Sequence, residues 1–276
     1  MSQSPRAGES RFGRAALFAL ALAALPLVAA PRLAYANSID DAAEAYKHAS
    51  QADIDAIVTG AERLVEALKK GDIPAARQAW IDARVGYERS ETFAEPLFPD
   101  LDAAIDTWPD AKTGFHAIEA QLFVDGGKPS VEQAEDLLKT AKALQAGLPK
   151  AKLTGETLIG GVAGLAFEVG EGKSKGGESR VSGTSLADMQ HNVEGIERAW
   201  TMVFAKPVAE KDPALAKRIE TQLAEVKSLV SVSSLDKLDP PSFEKKAEML
   251  AGSFADAAVA LGYPAPKFEE EEGEGQ

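Results

Sequence analysis

The sequence predicts an all-α protein, and three observations carry that expectation. Apolar residues recur every three or four positions through most of the chain. No stretch of useful length alternates apolar with polar residues as a half-buried strand would. The connections between periodic stretches are short, which favours antiparallel neighbours in one helical bundle or two fused bundles. At 276 residues, 45% hydrophobic and 26% charged, the chain suffices for one large domain or two small ones.

The elements follow in order. Arg6, Arg11 and Arg14 precede an apolar run over 15–30, and Ala34-Tyr35-Ala36 supplies a small-x-small site. This is the pattern of a secretory leader cleaved after Ala36. A membrane anchor is the alternative, but the run is short for a span of roughly 20 residues and is broken by Pro26. Arg11 and Arg14 are not adjacent, so a twin-arginine route is not indicated, and no cysteine follows to take a lipid.

Ile54, Ile57, Val58, Ala61, Leu64, Val65 and Leu68 form one stripe of a helix that Gly71 terminates. Pro74 sits in the first turn of a second helix running on to about Phe93. Residues 96–111, with three prolines, read as an irregular acidic connection, and a short helix follows from about Gly114 to Phe123. Ser130 and Gln133 resemble a capping box before the next helix. Residues 153–170 read as an apolar, glycine-containing buried helix, and 170–183 as a glycine-rich loop. Thr184 or Ser185 caps a long helix through about residue 205, and two amphipathic stretches follow near 213–231 and 241–261. The expected organisation is a leader over 1–36, a helical domain over 37–267 and a disordered acidic tail over 268–276.

Charge and composition narrow the function. The whole chain carries a formal −13, and the leader contributes four Arg against one Glu, so the exported remainder is more acidic still. Such a chain suits cations and not nucleic acid or anionic lipid. It has no cysteine, which removes thiolate metal sites, iron–sulfur clusters and cysteine nucleophiles. A metal would rest on His, Asp, Glu or backbone oxygen, a donor set for hard cations. No Gly-x-Ser-x-Gly elbow, Walker A loop or His-Glu-x-x-His motif is present.

Of three histidines, His116 stands out, because Glu119 lies three positions on and shares its helical face. Glu88 and Glu91 repeat that spacing upstream, although Glu88 also pairs at i−4 with Arg84. Asp100, Asp102 and Asp106 lie between the pairs and also suit turn chemistry. Glu171 and Glu178 fall in the glycine-rich loop, and Asp188 and Glu194 on the helix after it. His48 and His191 have no comparable partner, Gln190 and Asn192 read as ordinary polar helix positions, and Trp80, Phe93 and Phe115 read as core.

Gly114-Phe115-His116-Ala117-Ile118-Glu119 resembles the Gly-x-His-x-x-Glu motif of the imelysin (M75) family. The stretches around it, WIDARVGYERSETFAEPLF, DLDAAID and GGESRVSGTSLADMQHNVEGIERAW, resemble its EfeO-type branch, the periplasmic proteins of bacterial iron uptake. The resemblance spans essentially the whole mature chain. It implies two similar four-helix bundles with a metal site near their interface. It implies His116 and Glu119 as the motif's ligands, Glu88 and Glu91 as the upstream acidic pair, and Asp106 and Glu178 as further acidic groups of the site. The chain departs from the full-length EfeO pattern in lacking an N-terminal cupredoxin stretch.

The expected function is therefore an exported, non-enzymatic metal binder serving uptake. Iron is the leading ion, with zinc, copper or calcium as alternatives, and an inner-membrane permease is the implied partner. The periplasm is the expected location, with the cell surface as a second. The alternative, from an alginate-binding member of the group, is an acidic polysaccharide held through a bridging cation or through a basic patch of Lys173, Lys175 and Arg180. A metallopeptidase is the third reading, and the sequence offers no general base for it.

Overall fold

Residues 39–107, 111–175 and 178–268 are described by a computed structural model. The leader region and residues 269–276 of the acidic tail lie outside the described residues.

Every regular element among the described residues is helical. Helices α1 (Ile39–Ala49), α2 (Gln51–Lys70) and α3 (Ile73–Leu97) come first. Gly71 ends α2 at φ 70, and the Asp72 side chain caps α3 by accepting from the Ala75 N–H. Next come α4 (Pro99–Asp106), α5 (Gly114–Leu122) and α6 (Val131–Gly147). Ser130 caps α6 through the Gln133 N–H, but the Gln133 side chain does not return the bond. It joins Gln121 and the Lys112 carbonyl instead, so only half of the expected capping box forms. Helix α7 (Gly155–Glu171) leads to a 3-10 turn at Lys173–Lys175, and α8 (Ser185–Ala199) follows the loop. The last helices are α9 (Ala205–Lys211), α10 (Pro213–Val230) and α11 (Pro240–Leu261).

Two expectations change. Residues 96–97 and 99–106 are helical, with Phe98 alone between the two helices, and not irregular. Pro96 sits inside the last turn of α3, and Pro99 opens α4 at a first-turn position, where a missing N–H costs nothing. The helix predicted to run unbroken through residue 205 instead widens into a π turn at Trp200–Phe204 before continuing as α9. Trp200, Val203 and Phe204 are all buried there.

Helix α3 is the axis of the molecule. Helix α2 packs on α3 and α6, and α5 closes that ring against α3 and α6. A second ring runs α7, α8, α10, α11, with α11 back on α7. Helix α3 also packs against α7 and α8, so one helix serves both rings. The contact is close because small residues line it. A Cβ on Gly161 of α7 would fall 2.1 Å from the Thr92 carbonyl of α3. That carbonyl is the one Pro96 leaves without its helical N–H partner. On the far side, Trp80 of α3 donates to the Phe115 carbonyl at 3.0 Å and meets that ring edge-on. These contacts hold α5 and α7 to α3, and that arrangement positions the site.

Candidate metal centre

The side chains singled out by spacing converge where α3, α4, α5, α8 and the 178–184 turn meet. On α5, Glu119 lies one turn after His116, and its Oε2 is 3.0 Å from His116 Nδ1. Its other oxygen accepts from both the backbone N–H and the hydroxyl of Ser182, each at 2.7 Å. The imidazole is therefore fixed at Nδ1, and Nε2 points the other way. There it lies 3.2 Å from Glu178 Oε1 and 3.4 Å from Asp106 Oδ1. The donor atoms of Asp106, His116 and Glu178 all fall within 4.8 Å of one another. Two ligands bound about 2.1 Å from one ion at a right angle stand about 3.0 Å apart. The two edges from Nε2 are close to that separation, but the Arg84 guanidinium lies against all three donor atoms, with Nη1 3.5 Å from Nε2, so a cation would bind here by displacing it.

Two buried cations hold the acidic groups together. Arg84 of α3, 1% exposed, pairs with Glu88 and Asp106, and lies 3.2 Å from Glu178 and 3.3 Å from Asp188. Its guanidinium also sits over the rings of Trp80 and Phe115. Lys173 of the 3-10 turn, equally buried, places Nζ 3.0 Å from Glu88 Oε2, 3.2 Å from Glu91 Oε2 and 3.5 Å from Glu178 Oε2. Asn192 of α8 adds its Oδ1 at 3.2 Å and uses its Nδ2 to bond Glu91 and the Glu88 carbonyl. Unpaired, these carboxylates would be costly to bury, and the two cations offset that cost.

The centre opens into a cleft of about 460 Å³ lined by Glu91, Glu95, Asp102, Asp106, Glu168, Glu171 and Glu178 among others. Burial pushes the carboxyls of Asp106 to about 7, Asp102 to about 6 and Glu168 to about 8. Burial acts the same way on Asp188, taking it to about 6. Burial also opposes charge on His116, but hydrogen bonds to Glu119 and Glu178 and the charge of Asp106 outweigh it and lift the imidazole to about 9. Glu178 goes the other way: burial is overcome by Lys173, His116 and Arg84, and its carboxyl falls well below the usual range. The centre thus holds protons as well as internal cations, and a metal ion entering it would displace some of each.

Two comparisons identify the lineage. The imelysin (peptidase M75) family matches residues 42–260. This chain belongs to the imelysin family. The chain is also 32% identical over 242 residues to an Efem/EfeO family lipoprotein of Staphylococcus aureus strain MRSA252, covering 83% of this chain and 84% of that one. Its counterpart in strain NCTC 8325 gives the same identity and coverage. Among solved structures, one from Parabacteroides distasonis ATCC 8503, described as an iron-regulated protein A precursor, superposes with a TM-score of 0.59 at 17% identity. It covers 83% of this chain and 95% of that one, and it supports the all-α imelysin-like fold.

In this imelysin chain, all six residues expected at the site lie in one connected network. Asp106, His116 and Glu178 present the triad, Glu119 orients the imidazole, and Glu88 and Glu91 join through Arg84 and Lys173. Spacing alone marks Arg84 as the i−4 partner of Glu88 and Asn192 as an ordinary polar group, yet both are buried at the centre. Two residues of the alternative basic patch are engaged with acids. Lys173 is buried among carboxylates, and Lys175 pairs with Glu244 at 3.1 Å. His191, expected to stand alone, has Glu194 at 3.1 Å from its Nδ1. Glu95 and Glu168, which no motif marked, line the cleft.

Proposed function

We propose that this imelysin-family protein binds a metal ion outside the cytoplasm and serves iron uptake, without being an enzyme. The observation that carries the reading is the donor triad of Asp106, His116 and Glu178 within 4.8 Å, of which Asp106 and Glu178 line a carboxylate-rich cleft. Oxygen donors with one imidazole suit iron and other hard or borderline cations. Iron takes first place because the curated relatives are EfeO-family proteins. The acidic walls raise the local concentration of cations at the cleft mouth. No helix among the described residues is long and apolar enough to cross a membrane. In this reading a separate permease carries the ion across the inner membrane, with the periplasm as the place of capture.

The test is titration calorimetry of the leaderless chain with Zn²⁺ as a redox-stable probe and with iron under anaerobic conditions. One ion should bind per chain. Paired replacement His116→Ala with Glu178→Gln should abolish that uptake while the helical circular dichroism is retained. Unchanged binding in the folded double variant would remove this site from consideration.

A further inference from the structure

Lys173 holds a position that a bound cation would contest. Its ammonium faces five side-chain oxygens: Glu88 Oε2 at 3.0 Å, both oxygens of Glu91 at 3.4 and 3.2 Å, Asn192 Oδ1 at 3.2 Å and Glu178 Oε2 at 3.5 Å. Such a cage would also suit a large monovalent cation. A transition metal draws oxygens to about 2.1 Å, and calcium to roughly 2.4 Å. Either ion would have to pull Glu178, and then Glu88 and Glu91, away from the ammonium. Glu178 is the shared member, with Oε1 facing His116 and Oε2 facing Lys173.

We infer that Lys173 is a specificity-determining residue: a tethered competitor that occupies the carboxylate cage and leaves it when cargo enters. The inference rests on the cation-binding reading above. A tethered group competes at a high effective concentration, so it sets a threshold on the incoming ion. Sodium and potassium bring the same single charge without the tether and lose. A multivalent ion brings more charge and shorter bonds and wins. The local backbone allows the exchange. Lys173 sits in a three-residue 3-10 turn, and a Cβ on the preceding Gly172 would meet only the Glu168 carbonyl, at 3.8 Å. The bond from Ser174 Oγ to the Gly170 carbonyl at 2.8 Å gives that turn a pivot behind the lysine.

Two measurements decide it. In the wild-type chain, limited acetylation with acetic anhydride followed by mass spectrometry reads the exposure of each lysine. Lys173 should react at least ten-fold faster with saturating Zn²⁺ than with chelator, while exposed Lys175 reacts equally in both. A Lys173 that stays protected when calorimetry shows Zn²⁺ bound overturns the inference and leaves the metal reading standing. Failure of the wild-type chain to bind Zn²⁺ sinks the metal reading itself. In the second measurement, Lys173→Met should bind Zn²⁺ at least ten-fold more tightly and gain measurable Ca²⁺ binding, while Lys173→Arg stays close to wild type. Equal or weaker binding by a folded Lys173→Met chain also overturns it. If that variant does not fold, the acetylation result decides alone.

Discussion

At the residue scale, Glu119 acts on the site through His116. It takes two bonds from Ser182 on one oxygen and offers the other to the imidazole Nδ1. A metal taking Nε2 displaces the proton there, and the Glu119 carboxylate keeps the other proton at Nδ1, so that Nε2 serves as the ligand atom between Asp106 and Glu178. Glu119→Gln keeps the shape and an acceptor for Ser182, but turns an amide N–H₂ toward Nδ1. The proton then moves to Nε2, and the ligand atom is lost. Calorimetry should show metal affinity about 10- to 100-fold weaker with unchanged helicity; equal affinity would mean that Glu119 does not set the tautomer. The His116–Glu119 pair was legible in the sequence because three-residue spacing on a helix guarantees a shared face. Arg84 was not, since a cation four residues from a glutamate reads as a surface pair wherever burial is unknown. Only the convergence of Asp106, Glu178 and Asp188, up to about a hundred residues downstream, turns that pair into the centre of the network.

At the element scale, the approach of α7 to α3 depends on a single hydrogen at Gly161. A methyl there would meet the Thr92 carbonyl at 2.1 Å and Pro96 Cγ at 3.0 Å, so the two helices would have to part. Gly160, its neighbour on α7, has nothing within 4 Å of the same position. Gly161→Ala should therefore destabilise the chain by about 1–3 kcal/mol. Gly160→Ala should stabilise it by about 0.5–1 kcal/mol through helix propensity alone. Urea unfolding of the two variants checks the contrast, and equal effects would refute the close contact. Gly114 makes the same kind of demand where α4 and α5 meet. Its φ of +75 suits glycine, and a Cβ would fall 2.1 Å from the Ile105 carbonyl, beside Asp106. Gly114→Ala should weaken metal binding as well as stability, because it separates Asp106 from His116. The long helices were legible from their apolar period and their caps. Helix α4 was not, because Pro96, Pro99 and Pro109 in sixteen residues read as breakers. Pro99 stands in a first turn that needs no N–H, and Pro96 gives up one bond, to the Thr92 carbonyl, in the last turn of α3, so both are compatible with helix, and that placement depends on the helix ends themselves.

At the scale of the whole molecule, buried acids give stability a pH dependence of definite sign. Asp102, Asp106, Asp188 and Glu168 all have carboxyl pKa values raised by burial, and His116 is raised to about 9 by its acidic partners. A group with a raised folded-state pKa contributes stability that is complete below its unfolded pKa and is lost as pH climbs through the folded one. For these groups the loss runs from about pH 4 to about pH 9. Glu178 and Glu119 have lowered values, so their contribution is lost only on acidification below about 4.5. The maximum should therefore lie near pH 5, on the acidic side of neutrality. In chelator, the melting temperature should fall by about 5 °C between pH 5.5 and 8.5, on the scale where 1 kcal/mol shifts a chain of this size by about 2–4 °C. General repulsion in an acidic chain pushes the same way, so Glu168→Gln separates the causes: it should flatten the slope if the buried acids produce it. A bound cation replaces the protons that this network loses at high pH. Saturating Zn²⁺ should accordingly raise the melting temperature more at pH 8.5 than at 5.5. A melting temperature that climbs with pH in chelator would show that these carboxyls are charged and solvated, and that the centre does not store protons for a metal to displace.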